Sequence, residues 1–121
     1  MLWHFIVILA VHWVADFVLQ THWQASNKSK NLEALSRHVG VYTISMMFAI
    51  PFIFPDHDRG WVLFIAANGV LHFATDYCTS RISSRLYAKQ DWHNFFVVIG
   101  FDQLIHQTTL AVTMWWFFMK G

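Results

Sequence analysis

The chain has 121 residues, of which 56% are hydrophobic and 12% charged, and its formal net charge is +1. Soluble domains average about 45–50% apolar and about 25% charged residues, so this composition excludes a disordered chain and favours a membrane protein. The small net charge excludes the basic surface that duplex nucleic acid requires, so no nucleic-acid partner is expected. The length corresponds to one domain.

Four long apolar runs, separated by short charged stretches, predict four transmembrane helices. A helix needs about 17–25 mostly apolar residues to cross the hydrocarbon core of a bilayer. The predicted helices cover approximately residues 2–20, 36–54, 61–80 and 94–118. The expected fold is therefore all-α: a single transmembrane domain over residues 1–121, organised as a polytopic four-transmembrane-helix bundle. A soluble bundle is the alternative, but it would leave no amphipathic helix to face water.

Lysine and arginine residues are unevenly distributed over the loops. On one side of the predicted membrane lie only Arg59 and Lys120. The other basic residues lie in or beside the first and third loops: Lys28, Lys30, Arg37, Arg81, Arg85 and Lys89. Because basic residues are retained on the cytoplasmic side, we expect loops one and three in the cytoplasm and both termini outside. This topology predicts a multi-pass protein of the cytoplasmic, or inner, membrane.

Each aspartate inside a predicted helix has a histidine four residues away. These pairs are His12–Asp16, His72–Asp76 and Asp102–His106. A spacing of four places both side chains on one helix face, and an isolated aspartate at bilayer depth costs about 3 kcal/mol unless it is paired or bound to a cation. The helix directions place all three pairs, together with His38, in the inner half of the bundle. The sequence therefore predicts a buried His/Asp cluster.

Imidazole and carboxylate groups are typical ligands of zinc, and manganese or iron are the alternatives. The predicted ligands are His12, Asp16, His38, His72, Asp76, Asp102 and His106. Seven groups exceed the three or four that one zinc ion needs, which indicates two ions with bridging carboxylates, or one ion with a free aspartate as general base. Asp16 and Asp76 are the candidate catalytic carboxylates. Hydrogen-bonded pairs that only stabilise helix packing, a proton relay and a haem held by two histidines are the other interpretations.

The leading hypothesis is a metal-dependent hydrolase that cleaves an ester, amide or phosphoester bond in a membrane lipid or a lipid-linked substrate. Lys28 and Arg81, on the inner face, are candidates for binding a substrate phosphate or an anionic lipid, although the topology alone explains their charge. The alternatives are a component of an ion, proton or metal transporter, and a membrane interaction module with a structural metal. The sequence leaves open whether the chain forms a homo-oligomer.

Five segments of the chain resemble a known family. They are His12-Trp13-Val14-Ala15-Asp16-Phe17-Val18-Leu19-Gln20, Asn27-Lys28-Ser29, His38, His72-Phe73-Ala74-Thr75-Asp76 and Asp102-Gln103-Leu104-Ile105-His106. On these residues the chain resembles domain-of-unknown-function family 3307, small integral membrane proteins of bacteria and their phages. The resemblance spans nearly the whole chain and implies a multi-helix membrane architecture, but it brings no activity. In site type alone, the cluster is also similar to membrane-embedded metal hydrolases that act on lipids.

Overall fold

The computed structural model describes residues 1–120, which are helical apart from short turns and contain no β-strand. The helices are α1 (Leu2–Trp13), α2 (His22–Asn27), α3 (Leu32–Ile53), α4 (Asp58–Ala88) and α5 (Trp92–Met114). Two π-helical segments, Val14–Val18 and Trp115–Met119, continue α1 and α5 respectively. The all-α prediction is confirmed for the part of the chain that the structure describes.

The long helices correspond to the four predicted spans, but their ends are set by local capping. Asn31 accepts a hydrogen bond from the backbone N–H of Glu33 at 2.8 Å, so α3 begins a turn earlier than the sequence indicates. Asp91 caps α5, accepting from the backbone N–H of Asn94 at 3.3 Å and from its side chain at 2.8 Å. The side-chain hydrogen bond from Asn94, with the backbone bond beside it, lowers the pKa of Asp91.

The short helix α2 lies in the first loop and packs on α3. It begins with a capping box, in which Thr21 Oγ1 accepts from the Gln24 backbone N–H and Gln24 Oε1 accepts from the Thr21 backbone N–H, both at 3.1 Å. This arrangement satisfies two backbone N–H groups, those of Thr21 and Gln24, that would otherwise be free at the helix start. The capping box fixes the start of α2 and thereby the position of the turn after it, which contains Lys28.

Consecutive long helices run antiparallel and pack in the order α1, α3, α4 and α5. A stack between the His4 and Phe54 rings, with centroids 5.1 Å apart, joins the start of α1 to the end of α3. Asn68 Nδ2 donates to Thr113 Oγ1 at 2.9 Å and joins the first half of α4 to the end of α5. Of the neighbouring long helices, α1 and α5 contact each other least, so the bundle is loosest between them.

The interior of the bundle has an apolar half and a polar half. The half near the chain termini is a hydrophobic core that includes Ile8, Tyr42, Met46, Ile50, Phe54, Phe64, Leu110, Met114 and Phe118. The opposite half holds polar side chains of which 4% or less is exposed: His12, Asp16, His38, His72, Asp76 and His106. Because every long helix crosses from one half to the other, all of them contribute to both.

The outer surface of the bundle is strongly apolar. Phe48 and Phe52 on α3 are 74% and 86% exposed, and Val62 and Val70 on α4 are exposed to a similar degree. Among the described residues, Trp92–Met119 is the one helix that is long and apolar enough to cross a membrane, and 17% of its most apolar 18-residue window is buried. Leu2–Val18 is a shorter apolar helix. By length and composition, therefore, one of the four predicted spans is supported.

Candidate metal centre

All four long helices contribute to the His/Asp cluster, as the sequence predicts. The residues come from α1 and its π-helical continuation (His12, Asp16), α3 (His38), α4 (His72, Asp76) and α5 (Asp102, His106). Asp16 lies in the π-helical segment, where both Ala15 and Asp16 are buried. Such π-helical turns occur frequently at functional sites because they redirect side chains locally. Here the turn keeps Asp16 within the bundle while Val14, Phe17 and Val18 remain exposed.

The first group of ligand atoms comes from Asp16, His38, His72 and Asp76. The Oδ1 atom of Asp16 lies 2.9 Å from His38 Nε2 and 3.2 Å from His72 Nε2. The two Nε2 atoms are 3.2 Å apart, and His38 Nε2 is also 3.2 Å from Asp76 Oδ2. All four residues offer ligand atoms that lie within 4.8 Å of one another. Two neutral imidazoles and two carboxylates at this separation form a donor set suited to a divalent cation.

The tautomers of these imidazole rings depend on whether a cation is bound. Among the described residues, the Nδ1 atoms of His12, His38 and His72 have no hydrogen-bond partner and are buried. Without a cation, Asp16 Oδ1 accepts from Nε2 and favours the proton there, whereas a bound cation would take the Nε2 lone pair and leave the proton on Nδ1. With the proton on Nδ1, the Nε2 lone pairs of His38 and His72 converge on the space between the two carboxylates.

A second group of ligand atoms comes from Asp16, Asp102 and His106, and it also lies within 4.8 Å. His106 Nε2 is 3.3 Å from Asp102 Oδ2 and 2.9 Å from Asp76 Oδ1. Asp16 belongs to both groups, and a carboxylate has two oxygens with which it can bridge two cations. The cluster therefore has the ligands for one cation in either group, or for two cations that share Asp16.

Neighbouring polar side chains hold these carboxylates in place. Gln103 Nε2 donates to Asp16 Oδ2 at 3.1 Å and to Asp102 Oδ2 at 3.0 Å. Thr79 Oγ1 donates to Asp102 Oδ1 at 2.5 Å. His12 belongs to neither ligand group; its Nε2 lies 3.2 Å from Gln103 Oε1 and 3.7 Å from Asp16 Oδ2. Thr79 was not predicted from the sequence, although it follows Asp76 by three residues on the same face of α4.

A stack of three rings joins the cluster to the apolar core. The Tyr42 ring lies on His72, and His72 lies on His106, with centroids 4.1 Å apart and interplanar angles of 18° in both pairs. Tyr42 itself belongs to the hydrophobic core. The stack restricts rotation of both imidazoles, so their Nε2 atoms stay directed towards the carboxylates. Tyr42 was not predicted from the sequence, because its contact with His72 depends on how α3 packs against α4.

Lys28 reaches into the cluster from the turn after α2. Its Nζ atom lies 3.0 Å from Asp76 Oδ2, and its side chain is 20% exposed whereas that of Asp76 is 1% exposed. Arg81, predicted to act with Lys28, lies elsewhere: its guanidinium donates to the Tyr77 carbonyl at 2.8 Å and lies 3.5 Å from the centre of the Tyr77 ring. The structure thus brings Lys28, but not Arg81, to the predicted ligands.

A cavity of about 530 Å³ leads to one side of the cluster. Asp16, Asp102 and Gln103 line it, together with Lys28 and residues from α2, α4 and α5. Asp76 is not among the described residues that line the cavity. A molecule in this space would therefore reach Asp16 and Asp102, the two aspartates that both belong to the second ligand group.

Comparisons with known proteins give one match. A family model described as "Protein of unknown function (DUF3307)" matches residues 4–120. No curated protein and no solved structure matches the chain. The matched range includes every residue of the His/Asp cluster.

Proposed function

The chain belongs to the DUF3307 family, and we propose that it is a multi-pass protein of the bacterial cytoplasmic membrane that hydrolyses a lipid or lipid-linked substrate at a divalent metal centre. The observation that carries this proposal is the pair of ligand groups that share Asp16 beside a cavity. Zinc is the favoured ion, with manganese or iron as alternatives. The bond cleaved is an ester, amide or phosphoester.

The distribution of polar groups supports a membrane location. In water, folding buries apolar side chains and leaves charged groups outside. This bundle has the opposite arrangement at its His/Asp end, where aspartates and histidines are buried while large apolar side chains cover the exterior. Membrane proteins place ionisable residues towards the bundle interior because lipid cannot solvate them. In the proposed topology all four long helices cross the membrane, both termini lie outside, and the turn containing Lys28 faces the cytoplasm.

The charge of the cluster supports a bound cation. Asp16, Asp76 and Asp102 bring three negative charges to a largely buried space, and Lys28 brings one positive charge. Unbalanced charge in such an environment is strongly unfavourable. Before any ion binds, the negative charges thus exceed the positive ones by two, and a divalent cation would offset this excess with all the histidines uncharged.

The position of the cavity favours one of the two candidate catalytic carboxylates. A divalent metal supplies an acidified water molecule and polarises the substrate oxygen when it is bound. Asp16 lines the cavity and can accept a proton from water, whereas Asp76 lies behind it and is paired with Lys28. Of the two predicted catalytic carboxylates, Asp16 is therefore the better placed general base. Gln103 donates to Asp16 and Asp102 and so orients both.

The apolar half of the interior favours a hydrolase over a transporter. An ion passing through the bundle would have to cross the hydrophobic core that contains Met46, Ile50 and Phe64. Transporters place their sites at interrupted helices that open to both sides. In this bundle the polar cluster is reached by a cavity next to the first loop, which suits a substrate that enters and leaves on one side. A purely structural metal would be bound by the same ligands, and measurement of lipid turnover distinguishes it from a catalytic one.

Metal content tests the proposal directly. The full chain, purified in detergent without chelators, is expected to hold one or two zinc, manganese or iron ions by elemental mass spectrometry. Asp16→Asn should remove the metal entirely because both groups need it, whereas Asp102→Asn should affect only the second group. Asp56→Asn, at an exposed turn, is the matched control. Wild-type protein without metal would refute the metal centre.

Lipid turnover separates a catalytic metal from a structural one. Wild-type protein in vesicles of bacterial lipid should release a hydrolysis product, and His72→Ala should abolish this release while remaining folded by size-exclusion chromatography. An Asp16→Asn protein that unfolds, with no turnover by the wild type, would instead support an interaction module with a structural metal.

A further inference from the structure

The cavity beside the His/Asp cluster has a wall rich in hydroxyl groups. It is bounded by α2, α4, α5 and the end of the π-helical segment after α1, and its volume of about 530 Å³ lies in the range of small-molecule sites. Six hydroxyl-bearing residues line it: Ser26, Ser29, Ser80, Ser83, Ser84 and Tyr87. Such a wall can both donate and accept hydrogen bonds. It suits a ligand with several polar groups of its own.

Two polar atoms in this wall have no partner within the described part of the chain. Ser80 Oγ is buried without a hydrogen bond, and the whole residue is 8% exposed. Gln20 Oε1 is likewise buried and without a hydrogen bond. Buried polar groups in folded proteins are almost always paired, because an unpaired one has lost water and gained nothing in return. Both residues line the cavity, so rotation of either side chain would bring its unpartnered atom to a ligand there.

The charges around the cavity disfavour an anionic ligand. Among the described lining residues Lys28 is the one lysine or arginine, and its ammonium group is already bound to Asp76. The carboxylates of Asp16 and Asp102 face the same space, and in the metal-free protein they would repel a phosphate. Hydroxyl groups carry no charge, so a neutral polyol avoids this repulsion while still satisfying Ser80 and Gln20.

Apolar side chains complete the wall on the side where the bundle is loosest. Phe17, next to α1, and Phe95 and Ile99 on α5 line the cavity, and α1 and α5 contact each other least. A ligand with hydrocarbon chains could extend them through this gap into the surrounding lipid. The cavity thus combines a polar compartment with an apolar exit, which is the arrangement that an amphiphile requires.

We propose that this cavity binds the neutral, hydroxyl-bearing headgroup of a membrane lipid, a sugar or a glycerol, through Ser80 and Gln20. This inference deepens the proposed function, on which it rests for the membrane location, by naming the class of substrate. The headgroup lies beside Asp16 and Asp102, so the bond that joins it to the acyl or isoprenoid part of the lipid lies close to the ligand groups.

Lipid binding to the full chain tests the inference. The protein is purified in an amine-oxide detergent, which has no sugar headgroup, and titrated with monoglucosyl diacylglycerol, monoacylglycerol, diacylglycerol or phosphatidic acid, with bound lipid read by native mass spectrometry. The glucosyl or glyceryl lipid should bind more tightly than diacylglycerol and phosphatidic acid. Comparison of the glucosyl lipid with monoacylglycerol identifies which hydroxyl-bearing headgroup is preferred. Ser80→Ala should weaken that binding about ten-fold, the value of one hydrogen bond to a ligand.

Two further variants keep the test sharp. Ser84→Trp, at an exposed position of the wall, fills the cavity and should abolish lipid binding without disturbing buried residues. Ser45→Ala is the control, because its hydroxyl bonds to the Val41 carbonyl at 2.8 Å on α3, away from the cavity. Preferential binding of phosphatidic acid, or equal binding by wild type and Ser84→Trp, would overturn the inference.

Metal content measured on the same samples distinguishes this inference from the proposed function. Lipid binding should persist in excess chelator, because the proposed contacts are uncharged hydroxyl and amide groups. Protein that contains no metal after purification without chelator, but still binds lipid through Ser80, would refute the metal centre alone. A Ser80→Ala protein with wild-type metal content and unchanged lipid affinity would refute the headgroup site alone.

Discussion

Lys28→Met is expected to destabilise the metal-free protein while leaving the metal-bound protein unchanged. Lys28 Nζ lies 3.0 Å from Asp76 Oδ2, a carboxylate that is almost fully buried. Methionine keeps the apolar stem of the side chain but removes its charge. Without metal, the substitution deprives Asp76 of its cationic partner. With metal, we expect the ion to take the place of the ammonium group at Asp76, so the lysine no longer contributes.

The magnitude follows from the partners that Asp76 retains. Removal of one member of a buried ion pair costs about 3–5 kcal/mol when the other charge is left alone. Here His106 Nε2 at 2.9 Å and His38 Nε2 at 3.2 Å still contact Asp76, so we expect about 2 kcal/mol, as for one hydrogen bond to a charged group. For a chain of this length that free energy lowers Tm by about 8 °C. By the thermodynamic cycle, metal should bind Lys28→Met about 30-fold more tightly.

Thermal unfolding in detergent, followed by the fluorescence of the seven tryptophans, measures both effects. The scans are run in chelator and in excess zinc for wild type, Lys28→Met and Lys30→Met, an exposed residue of the same turn that serves as the control. The loss of Tm should appear in chelator only. An equal loss in both conditions would show that metal does not displace Lys28, and no loss in chelator would refute a stabilising ion pair.

Two further predictions concern single contacts. Thr79→Val removes the hydroxyl that donates to Asp102 and should weaken metal binding about 10- to 100-fold, as loss of a ligand-orienting contact does. Thr75→Val, the control, loses only a hydrogen bond within α4 and should bind metal like the wild type. Isothermal titration with zinc checks this, and equal affinities of the two variants would contradict it. Gly60→Ala places a methyl group 2.7 Å from an aromatic carbon of the buried core and should lower Tm, whereas Gly100→Ala meets nothing within 4 Å and should raise stability by up to about 1 kcal/mol; a Gly60→Ala protein as stable as Gly100→Ala would contradict the close packing.

The helices and the cluster were predictable because both depend on short-range patterns. Apolar runs of membrane length indicated the long helices, and the spacing of four indicated that each histidine shares a helix face with its aspartate. The cap of α3 at Asn31 was not predicted. The helix α4 extends to Ala88, past the predicted span that ends at residue 80, since neither proline nor glycine interrupts the chain there.

Contacts between helices were less accessible from the sequence. Lys28 was interpreted as a phosphate ligand, but in the structure it pairs with Asp76, which is 48 residues away along the chain. His12 was expected to act as a ligand like His72. In the structure its Nε2 lies 3.2 Å from Gln103 Oε1, and it belongs to neither ligand group. Each outcome depends on the relative rotation and depth of two helices, and a one-dimensional pattern specifies neither.

The sequence by itself determined that this chain is helical and that imidazoles and carboxylates occupy the same level of the bundle, because the helical repeat converts spacing directly into a shared face. Only the tertiary structure decided which of these groups meet. Asp16 is common to both ligand groups because a π-helical turn and the packing of α1 against α3 and α5 direct its two oxygens to different neighbours. Such convergence is a property of side chains that are remote in sequence, and it arises only when the helices pack.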